Sequence, residues 1–157
     1  MHQMPTPPEL EFFASVTVEV DPPIDIGQTI DGMRTVVPIR GGKVHGAGWT
    51  GRVLDAGADF QLYPSKTTAY LHAVYVLEAE DGSRLFVDNL ALRTGAAEDL
   101  ARLVSGEPVH PDRIYFRFSP RITTAADNPF AWVNDTVFIG SGRRLPTAVQ
   151  LDFFAVR

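Results

Sequence analysis

Apolar and polar side chains alternate along most of this chain, so strands make up nearly all of its predicted elements. In Leu10–Val20 one face carries Leu10, Phe12, Ala14, Val16, Val18 and Val20, and the other carries Glu11, Phe13, Ser15, Thr17 and Glu19. That is the pattern of a half-buried strand. Asp21-Pro22-Pro23 ends it, because proline cannot donate to a ladder, and a loop through Gly27, Gln28 and Asp31-Gly32 leads into a second strand, Met33–Arg40. Pro38 makes that strand an edge, a bulge or a short piece. Gly41–Asp59 holds five glycines within eleven residues and reads as one bent strand in the wall of a strongly curved sheet, with a turn at Asp55–Gly57. Asp59–Tyr63 follows as a short strand, ended by Pro64-Ser65-Lys66.

Thr67–Glu80 and Ser83–Arg93 flank Asp81-Gly82, a two-residue hairpin signal. Such a turn sets Tyr75 opposite Asp88 and gives one interior face of Leu71, Ala73, Tyr75 and Leu77 with Phe86, Asp88, Leu90 and Leu92. Tyr75 and Asp88 are then polar neighbours on an apolar surface, where each needs a partner to offset about 1–3 kcal/mol of burial. Thr94–Ser105 is the helical candidate, with Leu100 and Val104 on one side, a Glu98–Arg102 pair and Gly106 as a stop. It reads as a lid or barrel plug. Ile114–Ser119 restarts β structure, Phe130–Ile139 is a strand containing Trp132 and Asn134, Gly140–Pro146 is a turn, and Ala148–Val156 is the closing strand. About 8–10 short strands with one helix predict a closed antiparallel β-barrel, lipocalin-like in appearance, because closure removes sheet edges and encloses a cavity. Residues 1–157 form one domain in this picture, with 1–8 as an extended lead-in and 94–105 as the helix.

Composition narrows the chemistry. There are 14 basic and 19 acidic residues, a net charge of −5, and only Lys43 and Lys66 are lysines, which argues against a nucleic-acid partner. The absence of cysteine excludes thiol nucleophiles, disulfides and thiolate metal sites. The first residues have neither a basic nor an apolar leader region, and no apolar run is long enough for a membrane helix, so a soluble, cytoplasmic protein with no membrane partner is expected. Arg113, Arg117, Arg121, Arg143 and Arg144 gather in the last third, either as solvated ion pairs or with one of them holding an anion. No phosphate loop, dinucleotide fingerprint, nucleophile elbow or zinc-helix motif is present, and the four histidines are far apart. His45 and His72 with Asp59 or Asp88 lack ligand spacing, so neither metal nor cofactor is expected.

The candidate chemistry is therefore a polar cluster on facing walls. Tyr75 and Asp88 come from the hairpin, with Asp59, Arg117, Tyr115, Trp132 and Asn134 from neighbouring strands. A carboxylate in an apolar cavity has its pKa raised towards useful proton-transfer values, and tyrosine or arginine stabilises an enolate or phenolate oxygen. Asp88 or Asp59 would move the proton, and Tyr75 and Arg117 would hold the oxyanion. His45, Trp49, Phe60 and His72 join Tyr115, Trp132 and Asn134 as ligand contacts, within an aromatic wall that also includes Tyr63, Phe116 and Phe138. The expected ligand is a small apolar or aromatic molecule, and the expected reaction is a cofactor-independent isomerisation, cyclisation or elimination on a carbonyl compound. The alternatives are a carrier or sensor of the same type of molecule, or a structural module whose barrel is filled by side chains.

The run Gly32–Gly42 (GMRTVVPIRGG), the run Gly46–Asp59 (GAGWTGRVLDAGAD), Tyr75, Asp81-Gly82, Tyr115-Phe116-Arg117 and Trp132-Val133-Asn134 together resemble the domain of unknown function 3237 family, over about residues 8–157. The resemblance implies an antiparallel β-barrel with a central cavity, often a homo-oligomer, and assigns no reaction. Phe60 stands where the family tends to tryptophan, and Ser65-Lys66-Thr67-Thr68 where it tends to an Asp-Gly turn. The first keeps an aromatic wall, whereas the second reshapes the expected mouth.

Overall fold

The computed structural model describes residues 2–157. Among them are the strands β1 (Leu10–Val20), β2 (Ile24–Thr29), β3 (Gly32–Gly46), β4 (Thr50–Ser65), β5 (Thr68–Ala79), β6 (Arg84–Thr94), β7 (Tyr115–Thr124), β8 (Phe138–Arg144) and β9 (Ala148–Val156). Helix α1 (Ala97–Val104) lies between β6 and β7. The strands pair antiparallel in the order β1-β9-β8-β7-β6-β5-β4-β3-β2, and the second half of β3 pairs back onto β1. Eight strands thus close a barrel, while β2 extends the wall along the first half of β3. The fold is the closed antiparallel barrel that the alternation predicts.

Period-two alternation sends one set of side chains inward, where Val16, Leu77, Leu85, Phe138 and Phe153 are fully buried. Each such side chain contributes about 1.5–3 kcal/mol. The two ends of the barrel differ in chemistry. At one end Phe13 packs against Trp49, Trp132 and Phe138 with ring centroids 5.3, 5.5 and 5.1 Å away, and Trp49 meets Phe130 at 4.9 Å. These rings seal it. The other end is lined by Asp25, Thr35, Gln61, Tyr63, Arg93 and Arg144, with Leu103 and Val104 of α1 beside them.

An eight-residue helix is marginal by itself. Two features hold α1 across the mouth. Leu100 and Leu103 are buried, and the nearly sealed carboxylate of Asp99 accepts from Arg113 Nε at 3.0 Å and lies 3.6 Å from Arg102. The ion pair within the helix is therefore Asp99–Arg102, not the expected Glu98–Arg102.

Several local expectations are corrected. Ile24–Thr29, read as loop, is β2, a short hairpin partner of β3. Gly41–Asp59 is not one bent strand: Ala47, Gly48 and Trp49 turn the chain between β3 and β4. The bends are bulges, at β3 between Pro38 and Gly42 and at β4 between Val53 and Gly57, the latter in place of a turn at Asp55–Gly57. Phe130–Ile139 is mainly a 3-10 turn over Ala131–Asp135, and β8 runs on to Arg144.

The most consequential correction is one of register. Ala79 N–H donates to the Ser83 carbonyl at 2.8 Å, which leaves three residues, not two, in the β5–β6 loop. Gly82 takes the left-handed conformation (φ 88°) that this longer turn requires. Tyr75 consequently faces Val87, and Val74 faces Asp88. A one-residue slip exchanges the faces of the second strand, so Leu85, Val87 and Asn89 are the buried set instead of Phe86, Asp88 and Leu90.

Candidate functional site

The inward positions of β4 place Asp59, Gln61 and Tyr63 in a row, each two residues from the next. They are linked by side-chain hydrogen bonds. Gln61 Nε2 donates to Asp59 Oδ2 at 2.8 Å, Tyr63 Oη donates to Gln61 Oε1 at 3.0 Å, and Thr35 Oγ1 from β3 donates to the same oxygen at 3.1 Å. Arg93 at the end of β6 donates from Nη2 to Tyr63 Oη at 2.8 Å. A polar chain therefore runs from the mouth beneath α1 to the middle of the barrel.

There it meets a cavity of about 40 Å³, lined by Asp59, Tyr75, Asn89 and Arg144 among apolar residues such as Leu71 and Phe116. Arg144 also borders the mouth pocket of about 190 Å³. Asp59 Oδ1, Tyr75 Oη, Asn89 Oδ1 and Arg93 Nε are buried without a hydrogen-bond partner among the described residues. Orphan polar atoms are uncommon in folded proteins because each costs about 1–3 kcal/mol. Asp59, Tyr75 and Asn89 line the inner cavity, Arg93 lines the mouth pocket, and a further such atom, Asp99 Oδ1, lies on α1; the three on the inner cavity mark a place prepared for another group.

The electrostatics agree with that geometry. Burial raises the Asp59 pKa, with Gln61, then Arg93 and Arg144, acting in opposition. Burial also pushes the Tyr75 phenol far upward, and Asp59 adds to the shift, so Tyr75 stays a neutral donor. Desolvation lowers the Arg144 pKa, followed by the nearby Arg93 charge. Gly57, opposite Tyr75, has φ +139°, and a Cβ there would meet the Val74 carbonyl and Tyr75. Only glycine at that bulge lets Tyr75 sit as it does.

Of the residues singled out from sequence, Asp59, Tyr75, Phe116 and Arg144 reach this cavity, and Tyr63 the mouth pocket. The others lie elsewhere. Asp88 and His72 are on the outer wall, bonded to each other at 2.7 Å. Phe60 and Tyr115 are on that same exterior, where Arg117 lies over the Tyr115 ring at 5.3 Å and donates to the Phe116 carbonyl. His45 is exposed on β3. Trp49 and Trp132 belong to the sealed end. Asn134 exchanges hydrogen bonds with the backbone of Thr124, accepting at 2.8 Å and donating at 3.1 Å. The cause is positional: odd residues of β7 point outward, and the hairpin register carries Asp88 out with them.

Sequence reasoning misses Gln61, Asn89 and Arg93, has Arg144 only as one of five arginines of which one could hold an anion, and has Tyr63 only as aromatic wall. The signal for the first was available in the Asp59-x-Gln61-x-Tyr63 spacing, which puts three polar groups on one strand face. Among the described residues no three metal-ligating side chains cluster, and no helix is long and apolar enough to cross a membrane.

Comparison with known proteins places the chain in a family. A UPF0311 protein of Rhodopseudomonas palustris (strain TIE-1) is 37% identical over 148 residues, 94% of this chain and 96% of the relative. The crystal structure of a conserved protein of unknown function from Rhodopseudomonas palustris superposes with TM-score 0.91 at 35% identity, covering 98% of this chain and 100% of that one. More distantly, the crystal structure of an enzyme from Penicillium herquei shares the fold, with TM-score 0.73 at 18% identity over the full length of both chains. The chain belongs to the family described as "Protein of unknown function (DUF3237)", whose sequence model matches residues 8–156.

Proposed function

We propose that the barrel interior binds a small aromatic or polyketide-like carbonyl compound and carries out proton-transfer chemistry on it, with Asp59 as the acid–base group. The observation that carries this reading is the convergence of Asp59 Oδ1, Tyr75 Oη and Asn89 Oδ1, all unpartnered, on one cavity. Gln61 Nε2 occupies Asp59 Oδ2 as a donor, so a proton held by this carboxyl resides on Oδ1. An ionised Asp59 would take a proton from the carbon beside a carbonyl. The neutral Tyr75 hydroxyl would donate to the enolate oxygen that results, and Asn89 Oδ1 would accept from a hydroxyl of the substrate. Returning the proton to a different atom isomerises the substrate, and expelling a β-substituent gives an elimination, in each case without a change of oxidation state.

The inner cavity and the mouth pocket together fall short of the ~300 Å³ usual for small-molecule sites. Substrate entry therefore involves displacement of α1, with the reacting head innermost and the remainder at the mouth. The same fold serves in a protein described as an enzyme. That likeness supports the barrel as a catalytic scaffold and says nothing about substrate.

The test is hydrogen exchange in D2O, followed by proton NMR, on a panel of aryl ketones and 1,3-diketones. The protein should accelerate loss of the α-proton for at least one member. Asp59→Asn should abolish the acceleration and Tyr75→Phe should reduce it by about 10²-fold or more, as for loss of an oxyanion donor. Exchange that survives in Asp59→Asn, or binding without any exchange across the panel, would reject proton transfer and favour a carrier.

A further inference from the structure

Arg93 and Arg144 stand at the same end of the barrel, and the acid that borders their pocket, Asp25 of β2, is exposed at its rim and pairs with neither. Among the described residues neither has a carboxylate within 4.0 Å. Arg93 is only 3% exposed, its Nη2 is engaged by a neutral hydroxyl, and its Nε has no partner. Arg144 reaches both the mouth and the inner cavity. Arginine keeps its proton even when buried. The interior therefore holds two guanidinium charges against one carboxyl, Asp59, which burial drives towards its neutral form. Uncompensated buried charge is strongly unfavourable, and Asp25 at the exposed rim does not reach either guanidinium, so the inner side of the mouth is suited to one further negative charge.

We propose that the ligand is an organic acid whose carboxylate is held at the mouth by Arg93 and Arg144. A guanidinium fork matches a planar carboxylate at two points. Leu103 and Val104 of α1 complete the pocket with an apolar wall, which suits a carbon skeleton better than a free inorganic anion. The inference rests on the acid–base reading and deepens it: the acid group is anchored at the mouth, and the reacting carbon extends towards Asp59.

Calorimetric titration with 3-benzoylpropanoate, its primary amide and inorganic phosphate tests it. The wild-type protein should bind the acid at least tenfold more tightly than the amide, and millimolar phosphate should not displace the acid. Arg93→Gln and Arg144→Gln should each weaken the acid at least tenfold and the amide by a smaller factor, so that the preference for the acid shrinks. Asp59→Asn should retain acid binding even where exchange is lost. Equal affinity for acid and amide on the wild-type protein overturns the inference irrespective of how the variants fold, and so does displacement by phosphate. Amide exchange as fast as that of the acid would overturn it too, while leaving proton transfer by Asp59 standing.

Discussion

Gln61 Nε2 donates to Asp59 Oδ2 at 2.8 Å, which leaves Oδ1 as the carboxyl oxygen without a protein partner. Because burial raises the Asp59 pKa above its ordinary 3.8, the folded protein keeps this proton at pH values where the unfolded chain has lost it. The contribution of Asp59 to stability therefore falls as pH rises from near that ordinary value through the folded pKa, and is constant above it. Asp59→Asn removes the penalty. Its gain in melting temperature over wild type should be smallest near pH 3.8, grow with pH and then level off. A gain that shrank with rising pH would mean that ionised Asp59 is stabilised, not penalised.

Tyr63 connects the two halves of the polar chain, accepting from Arg93 and donating to Gln61. Tyr63→Phe leaves Arg93 Nη2 without its partner in a buried setting, while Gln61 Oε1 keeps the bond from Thr35 Oγ1. The expected loss is about 1–3 kcal/mol of unfolding free energy, measured by urea denaturation. A neutral result would show that the chain is redundant with solvent at the mouth.

Asp99 ties α1 to Arg113 at 3.0 Å from an almost fully buried position. Asp99→Ala should loosen the helix over the mouth while the barrel persists. Hydrogen exchange at 97–104 should rise by about tenfold or more, corresponding to roughly 1–3 kcal/mol of local opening. Unchanged protection there would mean that Leu100 and Leu103 alone hold the helix.

Gly57→Ala forces a Cβ towards the Val74 carbonyl at a residue with φ +139°. A cost of at least about 1–3 kcal/mol follows from the backbone conformation alone, and Tyr75 must shift as well. Thermal melts should show the loss, and any activity dependent on Tyr75 should fall with it.

Asp88 offers the opposite case. It bonds to His72 on the outer wall with both side chains nearly half exposed, and such pairs contribute about 0–1 kcal/mol. Asp88→Asn should leave exchange activity and melting temperature within error of wild type. A large loss of activity would place the chemistry outside the barrel.

The alternation in Ala14–Val20 and Ala148–Val156, the apolar face of Leu71, Ala73, Tyr75 and Leu77, and the helical stretch before Gly106 are local patterns that appear in the folded chain, whereas a bulge at Phe12–Ala14 buries Phe13 and exposes Leu10 and Phe12, against the expected faces. Tyr75 was legible for the same reason: it is polar among apolar inward positions of its own strand. Asp88 and Asn89 were not distinguishable in that way. Which of them faces inward depends on whether the loop after Ala79 holds two residues or three, and Asp81-Gly82 is compatible with either.

Arg93 and Arg144 illustrate the same limit at greater range. Taken singly each is an ordinary strand-end arginine, and only barrel closure brings the last turn of β6 and the end of β8 to one mouth beneath α1. The sequence by itself determined that these strands form and which residues alternate along them, because side-chain periodicity is a property of neighbours in the chain. Register, closure and the meeting of Asp59, Tyr75, Asn89, Arg93 and Arg144 were decided only by the tertiary structure, since they arise from pairings between residues distant in sequence.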